Sequence, residues 1–201
     1  MKDSRVILCT GGIGSGKSYV VRAFRMLGIP AYDCDRAAKE CYDRDPRLLS
    51  DVVSLAGPEV LAVDGTLDRA ALSRRIFSDP ALLAAVEALV HPAVIHDFEN
   101  WKSGRPEPLL LIESAILLEK PQYARLYDRV VTVTAPVPVR IARVMARSDM
   151  TEAEVLRRMS AQWSDDRLAA ASDYILENDD RQALLPAILD IIEKETKDGK
   201  D

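Results

Sequence analysis

A chain of 201 residues that is 48% hydrophobic, 29% charged and 5% aromatic is too apolar to stay disordered, and has the size of one compact domain with a small insertion. Its formal net charge of -5 excludes a generally basic nucleic-acid binder or membrane-surface protein, though not local basic pockets. Three scattered cysteines (Cys9, Cys34, Cys41), no C-x-x-C and two histidines exclude a disulfide framework and a zinc ribbon, and point to a reducing cytoplasmic compartment.

The first apolar run, Val6-Ile7-Leu8-Cys9, is too short for the core of a signal peptide and reads as a buried strand. No run in the sequence is expected to approach a membrane span. Directly after that strand comes Gly11-Gly12-Ile13-Gly14-Ser15-Gly16-Lys17-Ser18, which matches G-x-x-x-x-G-K-[ST] and opens a helix. Glycines let successive backbone N–H groups turn inward around phosphate oxygens, and the helix N-terminus adds positive potential. The spacing predicts a nucleoside triphosphate held by Gly12, Ile13, Gly14, Ser15 and Gly16. Lys17 reaches its β- and γ-phosphates, and the Ser18 hydroxyl ligates Mg2+. A dinucleotide fingerprint is excluded, because G-x-G-x-x-G starting at Gly12 or Gly14 would need glycine at Lys17 or Tyr19.

Ser18 to Leu27 has helical periodicity and stops at Gly28, where a C-cap belongs. Ile29 to Tyr32 reads as a second strand, followed by Asp33 and Asp35 at the edge where open α/β sheets bind ligands. A carboxylate there can accept a proton from an attacking hydroxyl; either residue can equally cap the helix that follows. From about residue 35 to 105 no strand pattern occurs, and the length exceeds a simple crossover. The stretch reads as a helical insertion within one domain, with Leu82 to Trp101 periodic throughout. Within it, His91 before Pro92 suits a structural or surface role as well as a catalytic one, and Cys34 and Cys41 read as packing residues.

Leu109 to Ile112 forms a third strand ending at Glu113, a carboxylate that can support a Mg2+ shell or simply mark a solvated strand edge. Glu119 reads as a helix-surface residue. Val130 to Val133 is a fourth strand, and Val137 to Met145 a helix carrying Arg140, Arg143 and Arg147 on one face. With no acid between them, these cations are a solvated face or a lid that neutralises a transferring phosphoryl group. Thr151-Glu152-Ala153-Glu154 matches a capping box and opens a helix through Met159. Tyr174 to Leu176 is a fifth strand and Leu184 to Ile192 a last helix, after which the charged tail Glu193 to Asp201 is expected to fray. Continuous apolar strands alternating with helices imply a doubly wound parallel α/β sheet.

Taken together, several segments resemble the dephospho-coenzyme A kinases. They are Thr10 to Ser18, Asp33-Cys34-Asp35, His91-Pro92, Glu113 to Glu119, Arg143-x-x-x-Arg147, Arg158-Met159-Ser160-Ala161-Gln162, and Asp173 to Asn178. Order and spacing agree from about residue 5 to 190. The resemblance implies a P-loop NTPase fold with a five-stranded parallel sheet and helices on both faces. It also implies one kinase domain over residues 1–201, with an acceptor-binding insertion at about 35–105 and a lid at about 140–162. The implied reaction moves the γ-phosphoryl group of ATP, with Mg2+, to the ribose 3′-hydroxyl of dephospho-coenzyme A. Asp33 would be the base and Arg147 a lid residue closing over the phosphates. Arg140 would lie near the adenine, with Asn178 also toward ATP, while Asp33, Asp35, His91 and Glu113 would bind the acceptor. No nucleic acid, membrane or obligatory protein partner is implied.

At two places the sequence departs from the usual pattern. Glu113 stands where many members have aspartate, and Ile95 where members often have arginine, with His96 next. Two other readings carry the same loop: another small-molecule or nucleotide kinase, and a nucleotide-dependent switch. Against the switch, no Asn-Lys-x-Asp stretch is present.

Overall fold

The structure is a computed structural model that describes residues 4–197. It forms two compact units, one of Met1–Asp33 with Arg105–Asp201, the other Cys34–Gly104.

The first unit is built on a five-stranded parallel sheet in the order β2-β3-β1-β4-β5. Its strands are β1 (Arg5–Thr10), β2 (Ala31–Asp33), β3 (Leu109–Glu113), β4 (Arg129–Thr134) and β5 (Tyr174–Glu177). Side chains alternate between sheet faces, yet Val6, Ile7, Leu8 and Cys9 are all fully buried, as are Leu109, Leu110, Leu111 and Ile112. Both faces are therefore covered, which is why these strands show no polar alternation. On one face Ile7, Cys9, Leu111, Val131 and Val133 pack with Val20, Val21 and Phe24 of α1 (Lys17–Met26) and Ile188 and Ile191 of α9 (Leu185–Lys197). Register sets the C-terminal edge: Cys9 of β1 lies opposite Glu113 of β3, and Glu113 opposite Asp33 of β2.

The second unit is helical, with α2 (Cys34–Arg44), α3 (Pro46–Ala56), α4 (Arg69–Phe77) and α5 (Pro80–Ser103). Asp45, Asp68 and Asp79 each accept two backbone N–H bonds at the starts of α3, α4 and α5, so each of these three helices begins on an aspartate cap. Against the expectation that no run approaches a membrane span, α5 is long and apolar enough to cross one by length and composition. Here it serves as a core helix: Leu82, Val86, Val90, Val94, Ile95 and Phe98 are buried, and α5 packs against α2, α3 and α4.

The first unit is completed by α6 (Val137–Arg147), α7 (Glu152–Ser160) and the short α8 (Asp165–Ala170). The Thr151–Glu154 capping box is formed in full at the start of α7. The tail departs from expectation, because α9 runs on to Lys197 instead of fraying at Glu193. The cause is Glu195, only 3% exposed, which accepts from Arg5 Nη1 at 2.8 Å and Tyr174 Oη at 2.5 Å and pairs with Arg129 Nε at 3.3 Å. A charge pattern that looks solvated along the sequence folds onto cations at the far end of the sheet. The rest of the expected fraying segment lies outside the described residues.

Candidate active site

Residues 11 to 16 turn between β1 and α1, and Gly16 caps the helix in the left-handed region at φ 96°. A side chain there would be strained and would also run into Asn178 Nδ2. Gly14, at φ 79°, faces a similar barrier: an added Cβ would lie 2.6 Å from the Arg140 carbonyl oxygen. These glycines are thus demanded from outside the loop as well as by its own turn. The outer carbonyls are held by side chains, with Asn178 Nδ2 donating to Ser15 O at 2.9 Å and Arg140 Nε to Ile13 O at 2.9 Å. Lys17 Nζ donates to Gly11 O at 2.7 Å and to Gly12 O at 3.3 Å, so its charge lies across the loop.

At the next residue, Ser18 Oγ donates to Glu113 Oε1 at 3.3 Å, which brings together two of the predicted site residues from 95 positions apart. Asp33 stands opposite Glu113 in the register. The sheet edge beside the loop therefore offers a hydroxyl and two carboxylates. Oxygen donors of this kind suit Mg2+, which is held by one or two carboxylates plus substrate phosphates rather than by a dedicated protein cage. Among the described residues no group of three or more His, Cys, Asp or Glu could hold a metal by itself. Beneath the loop, burial and the neighbouring Glu113 charge push the Cys9 thiol up to about 12, so it stays protonated and unreactive.

The arginine face of α6 differs from expectation. Two of its three cations are matched by acids from the later acidic segment. Arg140, 4% exposed, binds both Asp165 oxygens, at 2.8 and 2.9 Å. Arg143 donates to Asp180 Oδ1 at 2.6 Å and to Asn178 O at 3.0 Å. Arg147, at the end of α6, is exposed. Glu119, read as a helix-surface residue, ends a short 3-10 helix (Leu117–Glu119) and is half-buried. Its carboxylate accepts the Trp163 backbone N–H at 3.0 Å, tying the segment after α7 to the turn after β3. Trp163, which no spacing explains, carries the Arg167 guanidinium 3.6 Å above its ring. Sequence spacing gave no signal for Asp165, Asp180 or Glu119, because each partner lies tens of residues away.

Comparison with known proteins adds an independent observation: the family model described as dephospho-CoA kinase matches residues 5–183. The chain belongs to the dephospho-CoA kinase family. A dephospho-CoA kinase of Porphyromonas gingivalis is 41% identical over 186 residues, covering 92% of this chain and 91% of that protein. One from Thiobacillus denitrificans is 38% identical over 176 residues, 87% of each chain. Among solved structures, a Thermus thermophilus protein superposes with a TM-score of 0.85 at 35% identity, covering 96% of this chain and 98% of that one. A shikimate kinase of Acinetobacter baumannii, 15% identical with a TM-score of 0.54 over 100% of this chain and 97% of its own, shares the fold alone.

Within this dephospho-CoA kinase family member, the first unit contains Lys17, Ser18, Asp33, Glu113, Arg140, Arg147 and Asn178. Asp35, in the first turn of α2, and His91, inside α5, belong to the helical unit. Of the residues expected at the nucleotide, Arg140 and Asn178 both bond to the loop's backbone.

Proposed function

We propose that this protein transfers the γ-phosphoryl group of ATP to the ribose 3′-hydroxyl of dephospho-coenzyme A, the last step in forming coenzyme A. The family match over residues 5–183 carries this reading, and the phosphate loop followed by a sheet edge bearing Ser18, Asp33 and Glu113 supports it. In the reaction the 3′-oxygen bonds to the γ-phosphorus as the bond from that phosphorus to the bridging oxygen of ADP breaks. Asp33 takes the hydroxyl proton, Lys17 and Arg147 offset the spreading charge on the phosphoryl oxygens, and the loop amides hold the phosphates in line. Ser18 with Glu113 would hold Mg2+, which when bound neutralises phosphate charge.

We assign acceptor binding to the helical unit, residues 35–105, through Asp35 and His91, with Glu113 contributing from the sheet. A lid at residues 140–162 excludes water. A cytoplasmic location suits three buried cysteines that form no disulfide among the described residues.

The test is ADP release with and without dephospho-coenzyme A. Release that depends on this acceptor is the expected result. Acceptor-independent release would point to a switch, and stimulation only by other acceptors to a different kinase. In the Asp33→Asn protein, kcat should fall roughly 10²–10⁴-fold with ATP affinity nearly unchanged; unchanged turnover would remove Asp33 from the base role. Lys17→Ala should abolish transfer, and full activity without it would undo the assignment of the loop.

A further inference from the structure

Ile13 sits in the middle of the phosphate loop, and both of its backbone polar groups are taken by side chains from far along the chain. Its N–H donates to Gln162 Oε1 at 2.8 Å, and its carbonyl accepts from Arg140 Nε at 2.9 Å. The partners are 149 and 127 residues away along the chain. Both partners are themselves fixed. Arg140 is buried and held by two bonds to Asp165. Gln162 lies in the turn between α7 and α8, where the next residue, Trp163, is tied through its N–H to Glu119 and Ser164 caps α8.

The flanking residues explain why such a clamp has work to do. Gly12 and Gly14 lack the Cβ that would limit rotation on either side of Ile13, and Gly14 takes φ 79°. A peptide between two glycines can turn its N–H inward or outward at small cost, and a cradle for phosphates needs one answer. The type of acceptor matters as well. A carboxamide oxygen holds an N–H without bringing negative charge to a loop that must receive a polyanion.

We propose that Gln162 is a positioning residue for phosphoryl transfer: with Arg140 it fixes both peptide groups of Ile13, and so the direction in which the loop's amides face ATP. This rests on reading the loop as the ATP site. It links the segment after α7 to the nucleotide through loop geometry, without requiring Gln162 to touch a phosphate.

The test uses the full chain with ATP and dephospho-coenzyme A, comparing Gln162→Met and Gln162→Glu with the unaltered protein. Methionine keeps the length and removes the acceptor. Its KM for ATP should rise about 5- to 10-fold, with kcat within about threefold and the acceptor KM within about twofold. Glutamate keeps an acceptor but adds charge, so its ATP KM should rise at low salt and recover as salt is raised. An ATP KM in Gln162→Met within about twofold of the unaltered protein would overturn the proposal. So would a lower ATP KM, which would make Gln162 a competitor of the nucleotide. A joint shift of both KM values with the melting temperature would reduce it to a structural role and also overturn it. Calorimetric titration of ATP onto both proteins needs no acceptor. If the unaltered protein fails to phosphorylate dephospho-coenzyme A, the functional reading falls, and the titration still decides the role of Gln162.

Discussion

Replacing Glu195 by alanine removes a carboxylate that is 3% exposed and collects the Arg5 guanidinium at 2.8 Å, the Tyr174 hydroxyl at 2.5 Å and the Arg129 guanidinium at 3.3 Å. Charge-assisted hydrogen bonds contribute roughly 1.5–3 kcal/mol each, because removing one partner leaves the other desolvated. The Arg5 and Arg129 side chains, 26% and 40% exposed, recover hydration once the carboxylate is gone, which offsets much of that loss. The Tyr174 hydroxyl loses its acceptor as well, so the net cost should be about 2–3 kcal/mol. For a chain of this size that lowers the Tm by about 4–12 °C, measurable by calorimetry or circular dichroism. Arg5, Arg129 and Tyr174 begin β1, β4 and β5, whereas the phosphate loop follows the other end of β1, so turnover at room temperature should hold within about twofold. Glu195→Gln, which keeps the shape and an acceptor, should fall between. A Tm loss below about 2 °C in Glu195→Ala would refute the reasoning, since the carboxylate would then be behaving as an exposed ion pair.

Three other outcomes follow from the same geometry. Gly16→Ala should weaken ATP binding at least about tenfold, because φ 96° strains any side chain and the Cβ meets Asn178. Adding Asn178→Ala should relieve only the overlap, and full recovery in the double variant would contradict the backbone cause. Tyr174 is pushed up from the ordinary 10.0 of a tyrosine to about 12 by burial, then by its bond to Glu195. A raised folded pKa means its contribution is whole below pH 10 and is lost as pH climbs toward 12. Tyr174→Phe should therefore be less stable near neutrality and show a shallower loss between those limits; an identical alkaline limb would count against it. All three thiols are buried, so a thiol reagent should label the native protein about 10²-fold more slowly than the unfolded chain, and rapid native labelling of any one would contradict this burial.

What could be read along the chain was whatever depends on neighbours. Strand cores such as Leu109 to Ile112 declared themselves because burial on both faces leaves no polar alternation. The phosphate loop did so because its glycines, lysine and serine must be contiguous to surround an anion, and the Thr151 capping box because its two bonds close within three residues. Fold class and nucleotide chemistry therefore came early. The long-range polar contacts did not. Nothing in local spacing says that Gln162 will meet Ile13, that Glu119 will hold Trp163, or that Glu195 in a charged tail will be buried by Arg5. Such pairs exist only after the sheet has set the register between distant segments. The length and apolarity of α5 show the converse error, where a core helix and a membrane span share one composition and only packing separates them.

The distribution of charge shows why the net figure of -5 carried so little information about the site. Residues 165 to 180 hold Asp165, Asp166, Asp173, Glu177, Asp179 and Asp180 against Arg167, a segment that looks ill suited to a protein that binds polyanions. Two of these acids neutralise the arginines that brace the phosphate loop from outside, Asp165 on Arg140 and Asp180 on Arg143, and Asp173 Oδ2 accepts the Val130 N–H at the start of β4. Bare guanidiniums there would have added positive potential, but each needs an anionic partner to stay partly buried and in one rotamer. The division of labour follows from that cost. Cations that must be rigid are paired and shape the loop, while Arg147, one helical turn beyond Arg143, is exposed. Asp165→Asn should therefore act on the loop. ATP affinity should drop several-fold with Arg140 still present, because a guanidinium without its carboxylate no longer holds Ile13 in one place. Equal loss of ATP affinity in Asp165→Asn and in Asp166→Asn, whose carboxylate is exposed one residue on, would show that bulk charge rather than the clamp governs the site.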